Sequence, residues 1–267
     1  MPDLPYTSYV LVFATAAVSG AINSVAGGGT LLTYPVLVSV GLDARIANAT
    51  NTMALWPASA AAAWSFRSSL TNIQKWAVPF SVVSACGGAV GAVLLRITPT
   101  SIFESIVPWL ILMAAVLFIT YEHLMKRLGI SPAGDDHIPD YTPMQWNGLM
   151  LAQFMVSVYG GYFGAGIGIL MLATLGIMRF GGLFRINALK NVAAFLINAI
   201  AAVLFACLGL VEWRVSVVMA IGAIVGALLG AGVAKKIGPK ALRIVISLLG
   251  FGLATYYMLK NFGVLKK

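Results

Sequence analysis

Residues 4–42 carry no charged side chain, and neither do residues 141–178. Nothing else in the sequence restricts the fold as strongly. A helix needs about 20 apolar residues to cross the hydrocarbon core of a bilayer, so each stretch is long enough for two helical segments with a break. Both breaks fall on glycine: Gly27, Gly28 and Gly29 in "AGGGT", then Gly164, Gly166 and Gly168 in "GAGIG". A soluble fold is excluded, because 60% of the residues are hydrophobic and only 9% are charged, against about 25% charged in soluble domains. The chain reads as an integral membrane protein, and its partner is the lipid bilayer.

Three more apolar segments follow each uncharged stretch, near 46–66, 76–95 and 103–121, and near 186–210, 215–234 and 244–260. Between the two sets lies "EHLMKRLGISPAGDDHIPDYTPMQ", polar and rich in turn residues. The predicted organisation is an N-terminal transmembrane repeat over 1–121, a polar linker over 122–145 and a C-terminal transmembrane repeat over 146–267. The first segment lacks a basic n-region and reads as retained rather than as a cleaved signal peptide. Residues 20–54 align without gaps to 160–194, matching Gly20/Gly160, Gly28/Gly168, Gly41/Gly181, Arg45/Arg185 and Asn51/Asn191 among others. Further on, Gly87 and Gly91 match Gly226 and Gly230. An odd number of segments per copy makes the repeat inverted. With both termini outside, eleven basic residues fall on inner loops and six on the outer side, the orientation that the positive-inside rule favours. The predicted fold class is all-α: a polytopic membrane protein of two inverted repeats, about five helical segments each, with Gly-broken hairpins. Whether the hairpins cross fully or re-enter stays open.

A helix broken at membrane depth exposes backbone groups that lipid cannot satisfy, so such breaks persist only when buried in protein or lining a wet cavity. Inverted-repeat transporters place them at the substrate, with half-helix N-termini aimed at anionic groups. Gly27, Gly28, Gly29 and Gly164, Gly166, Gly168 are thus two candidate half-sites. Asn48, Thr50 and Asn51 in "ANATNT", and Asn187, Lys190 and Asn191 in "NALKN", start the helix after each hairpin and could donate to an oxyanion. The same glycines also suit close helix packing, the Asn and Thr residues suit N-caps, and Lys190, Arg45 and Arg185 suit interfacial anchoring. On the residues alone both readings stand.

The eight carboxylates lie at or near segment ends, which argues against a cation pump and accords with an anionic substrate. Glu104 alone stands near enough to a segment interior to consider for coupling. Basic residues are scattered at the ends of apolar runs, so no nucleic-acid face is expected. Cys86 and Cys207 sit in apolar stretches without metal-ligand spacing, and His123 and His137 lie in the linker. No catalytic or cofactor motif is present, so neither an enzyme nor a cofactor is expected.

The strings "SGAINSVAGGGTLLTYPVL…ARIANATNT", "GGYFGAGIGILML…RINALKN" and "VEWRVSVVMAIGAIVGALLGAGVAKKIGPKALRIVISLL" resemble the sulfite exporter TauE/SafE family, also called 4-toluene sulfonate uptake permeases. The resemblance covers nearly the whole chain except the linker. It implies a bacterial inner-membrane carrier with a duplicated helical fold, for small sulfur-containing anions such as sulfite or organosulfonates. The second hairpin departs from the triple glycine, with Ile167 and Ile169 opposite Gly27 and Gly29, and Lys190 replaces Thr50. The expected function is secondary transport of such an anion by alternating access, with the substrate held between the two hairpins. An anion channel or a non-transporting scaffold are the alternatives, and homo-oligomerisation is left open.

Overall fold

The computed structural model describes residues 4–23, 28–65, 74–129, 141–177 and 183–262. Over those residues the chain is all-α: α1 (Tyr6–Asn23), α2 (Thr30–Ser39), α3 (Ala44–Ser65), α4 (Gln74–Ile97), α5 (Thr100–Arg127), α6 (Pro143–Tyr162), α7 (Ile167–Ile177), α8 (Leu183–Cys207), α9 (Trp213–Ile237) and α10 (Pro239–Asn261). Among the described residues, five helices (α4, α5, α8, α9 and α10) are long and apolar enough to cross a membrane. Helices α2 and α7 are apolar but short. At 1.5 Å per residue, α2 with 10 residues and α7 with 11 each reach roughly half of the ~30 Å hydrocarbon core. Each uncharged stretch is therefore a long helix followed by a half-length one.

Local chemistry explains the breaks. Gly28 holds φ at +91° and Gly164 at +80°, a region costing an L side chain roughly 1–2 kcal/mol. At the end of α6 the N–H groups of Phe163 and Gly164 both donate to Tyr159 O, the left-handed cap that commonly closes a helix. Helix α6 begins on a capping box: Thr142 Oγ1 accepts from Gln145 N, and the Gln145 side chain accepts from Thr142 N, with Pro143 at the first helical position. Helix α3 begins on Asp43, whose Oδ1 accepts from the N–H groups of Arg45 and Ile46.

The chain divides into two compact units, each drawing on both halves of the sequence. One comprises Met1–Leu55, Leu95–Ile119 and Phe205–Lys267, the other Trp56–Leu94 and Thr120–Leu204. In the first unit α9 runs along α1 on a stripe of glycines. A Cβ at Gly222 would stand 2.6 Å from Phe13 O, one at Gly226 would overlap Ala17 O, and one at Gly230 would stand 2.5 Å from Ala21 Cβ. In lipid, where apolar surfaces gain nothing by leaving the solvent, such close backbone approach is what holds helices together.

The second unit repeats the device with α4 on α6. A Cβ at Gly87 would stand 2.6 Å from Ser157 Cβ, and one at Gly91 would overlap Val158 O. Gly226 and Gly87 are repeat equivalents, as are Ala17 and Ser157. Within each unit, the fourth segment of one sequence half thus packs on the first hairpin helix of the other half. The side chains differ, however. Buried Gln153 donates through Nε2 to Ser84 Oγ at 2.8 Å and Ser157 Oγ at 3.1 Å, where the first unit has Phe13, Ala223 and Ala17. Around that pair the second unit packs Phe80, Leu149, Met171, Leu175, Leu189 and Ile197.

Candidate substrate site

The first hairpin gathers polar groups at the start of α2. Gly29 N donates to Asn23 Oδ1 at 3.2 Å, while the N–H groups of Leu31 and Leu32 turn back to Gly28 O and Gly29 O. Thr33 Oγ1 lies 3.0 Å from Gly29 O and also within hydrogen-bond reach of Asn51 Oδ1. Having one proton, it can donate to only one of them at a time. Asn51 Nδ2 donates to Thr30 Oγ1 at 3.4 Å. Ser19 Oγ, at the far end of α1, fills the space that a Cβ on Gly29 would take. On the other side, the Phe118 ring closes on Gly28, its Cζ 2.7 Å from where a Cβ would be.

Of the residues expected from sequence, the structure brings Gly28, Gly29 and Asn51 together. Gly27 lies outside the described residues. Asn48 and Thr50 are buried on α3 beside Asn51, but Thr50 Oγ1 accepts from Glu212 N at 2.9 Å, a tie to the start of α9. Arg45 donates to Thr98 O at 2.9 Å, and Thr100 Oγ1 donates to Asp43 Oδ2 at 2.9 Å, so this end of α3 is fastened to the α4–α5 connection. Arg45 also pairs with Asp43 at 3.8 Å.

The second hairpin is built differently. Lys190 on α8 lays its stem over the start of α7, with Cδ 3.7 Å from a Cβ placed on Gly168. Gly164 and Gly166 form the turn itself, and Gly166 O accepts from Ile169 N at 2.9 Å. Tyr159 Oη donates to Ala165 O across the turn, and Ile167 Cδ1 occupies the space beside Gly160. Asn187 and Asn191 are half-buried on α8, either side of Lys190. Trp56 stacks at a tilt on Phe195, ring centroids 6.1 Å apart, and Asn198 donates to Ser59 Oγ at 3.0 Å. Among the described residues no group of His, Cys, Asp or Glu could hold a metal ion.

Sequence reasoning missed Ser19, Asn23, Thr30 and Thr33 as members of this cluster. Their signal was their presence as polar residues in a charge-free stretch flanking "GGG", and one small hydroxyl in an apolar helix says little until its neighbour is known.

A polytopic helical membrane protein with half-length helices, and polar side chains buried at the start of one of them, has the build of a membrane transporter. The chain belongs to the sulfite exporter TauE/SafE family, whose profile matches residues 12–257. It is 27% identical over 257 residues to the "Probable membrane transporter protein ORF9" of a Sinorhizobium species, covering 95% of this chain and 94% of that one. A "Probable membrane transporter protein" of Haemophilus influenzae is 29% identical, with 93% and 94% of the two chains covered. The "Probable membrane transporter protein YfcA" of Escherichia coli K12 is also 29% identical, with 88% and 84% covered. No solved structure matches. The chain is thus an integral membrane transporter and not an enzyme.

Proposed function

We propose that this transporter is a secondary carrier for a small sulfur-containing oxyanion, sulfite or an organosulfonate, working by alternating access across two inverted repeats with both termini outside. The observation that carries the reading is the cluster at the start of α2. Asn23 Oδ1 sits on the Gly29 N–H, so an acceptor oxygen already stands where one oxygen of an oxyanion would bind. Thr30 Oγ1 only accepts in its bond with Asn51, which leaves its own proton for a ligand. A helix N-terminus adds the positive end of its dipole. Within its own unit the second hairpin carries the Lys190 stem over Gly168, with Asn191 one residue on. Among the described residues the carboxylates Asp43, Glu104, Glu122 and Glu212 stand at or near helix ends, leaving the helix centres free of groups that would repel an anion.

The test is uptake of radiolabelled sulfite, sulfate and methanesulfonate by purified protein in sealed liposomes under imposed pH gradients. Saturable uptake of one of them, lost or strongly weakened by Asn51→Ala, is expected. Non-saturating flux would make the protein a channel, and no flux of any of the three from folded protein would overturn the substrate class.

A further inference from the structure

Most serines and threonines inside helices settle their hydroxyl locally by donating to the carbonyl four residues earlier. Thr15, Thr52, Ser84, Ser157, Thr174 and Ser247 all do so here. Ser19 does not. It is 0% exposed, and its Oγ has no hydrogen-bond partner among the described residues. Instead of bonding back along α1 it points at Gly29, the residue that opens α2. Asn23, one turn further along α1, approaches the same spot, with Cγ 3.4 Å from a Cβ placed on Gly29. A buried hydroxyl left unpaired costs roughly 1–3 kcal/mol, so a group in this state calls for a completing partner, an ordered water or a ligand, and the position of Ser19 at the opening of α2 favours a ligand.

The repeat supplies an internal comparison. The equivalent of Ser19 is Tyr159, 140 residues on. Tyr159 Oη spends its proton on Ala165 O, inside its own hairpin. The equivalent of Asn23 is Phe163, and that of Thr30 is Leu170. These three positions are thus apolar or internally bonded in the second hairpin, while Asn51 keeps a polar equivalent in Asn191.

We infer that Ser19 is a ligand-contacting residue of the first hairpin, donating its hydroxyl hydrogen bond to an oxyanion seated at Gly29 on the N-terminus of α2, and that Tyr159 closes the second hairpin on itself and contacts no ligand. This assignment rests on the site proposed above. It gives Ser19 a selecting role: the hydroxyl rewards a ligand with a negative oxygen at that point and leaves a ligand without one facing an unsatisfied donor.

The test compares Ser19→Ala, Ser19→Cys, Asn51→Ala and Tyr159→Phe in the same liposomes with the same three radiolabelled anions, alongside thermal unfolding of each purified protein. A hydrogen bond to a charged ligand is strong enough that its loss should raise KM roughly 10- to 100-fold. Ser19→Ala should do this with the unfolding temperature unchanged or higher, because the hydroxyl supports nothing in the empty protein. Ser19→Cys, a weaker donor of similar size, should fall between. Tyr159→Phe should leave KM unchanged. If Asn51→Ala impairs uptake while Ser19→Ala keeps the parent KM, the role of Ser19 is wrong and the site stands. If both keep it, the site is wrong too. A Ser19→Ala protein that melts lower and loses maximal rate at constant KM would make Ser19 a packing residue, which also overturns the inference. Absence of uptake of all three anions by the folded parent protein overturns the substrate class, and the Ser19 assignment falls with it.

Discussion

The contact between α1 and α9 makes the sharpest test of the packing. A Cβ added at Gly226 would lie 2.5 Å from Ala17 C and 2.6 Å from Ala17 Cα, besides overlapping the Ala17 carbonyl oxygen. Carbon atoms pack best at about 3.5–4.0 Å, so the helices would have to separate by roughly 1 Å. No flexible side chain can give way, since the obstacle is backbone. The neighbouring contacts at Gly222 and Gly230 would open with it. Overpacking of this kind costs about 1–3 kcal/mol, and the upper end applies here. Against it, Gly→Ala within a helix gains up to about 1 kcal/mol. The net expectation for Gly226→Ala is a loss of about 1–2 kcal/mol. Gly252 on α10 has nothing within 4 Å of its missing Cβ, so Gly252→Ala should keep only the gain. The two identical changes should differ by about 2–3 kcal/mol, which at roughly 2–4 °C per kcal/mol separates their unfolding temperatures by about 4–12 °C. Thermal unfolding of both variants in one detergent measures this. Equal shifts of the same sign would refute the close α1–α9 contact.

Three further outcomes are expected. Gly28→Ala combines an unfavourable positive φ with the Phe118 ring. It should melt lower, and adding Phe118→Leu should recover only part of the loss, because φ stays strained. Asp43→Ala removes the cap of α3 and the Thr100 bond, costing about 1–2 kcal/mol. Asp43→Asn should keep most of the cap, so a chemical-denaturation series with the two variants equal would count against the assignment. Lys190→Met preserves the stem over Gly168 and removes only the charge. It should raise KM for the transported anion in liposome flux assays, and an unchanged KM would remove Lys190 from the site.

The helices were legible because their spacing follows from charge and length alone. Two uncharged stretches with central glycines, each long enough for two segments, pointed to broken hairpins, and α3 at Ala44–Ser65 and α8 at Leu183–Cys207 fall close to the expected 46–66 and 186–210. Asn51 and Lys190 were legible as polar residues whose repeat equivalents, Asn191 and Thr50, are polar too. What could not be read was partnership. Helices apolar on nearly every face carry little periodic signal saying which side meets which neighbour, so the seating of α9 on α1 and of α4 on α6 was hidden although all the glycines involved were in view. Ser19 was hidden for the same reason. Its chemistry depends on whether Oγ meets Thr15 O along its own helix or Gly29 across the hairpin, and only the fold decides that. Thr50 depends on the fold in the same way, since its Oγ1 accepts from Glu212 N, a backbone group far along the chain.

The two hairpins keep the architecture of the repeat while dividing its chemistry. The glycine stripes on α4 and α9 and the half-length helices α2 and α7 are held in common, which is what the backbone of a duplicated fold requires. The side chains beside the breaks are not. Uncharged Ser19, Asn23, Thr30 and Asn51 cluster at one hairpin, while the other has an internally bonded tyrosine and a lysine stem. An unpaired buried hydroxyl costs roughly 1–3 kcal/mol, so packing alone would favour losing Ser19. Its retention accords with the ligand contact inferred for it at the first hairpin. A protein in which Tyr159 and Ser19 were exchanged should fold poorly at both hairpins, because the serine could not span to Ala165 O and the tyrosine would collide with Gly29.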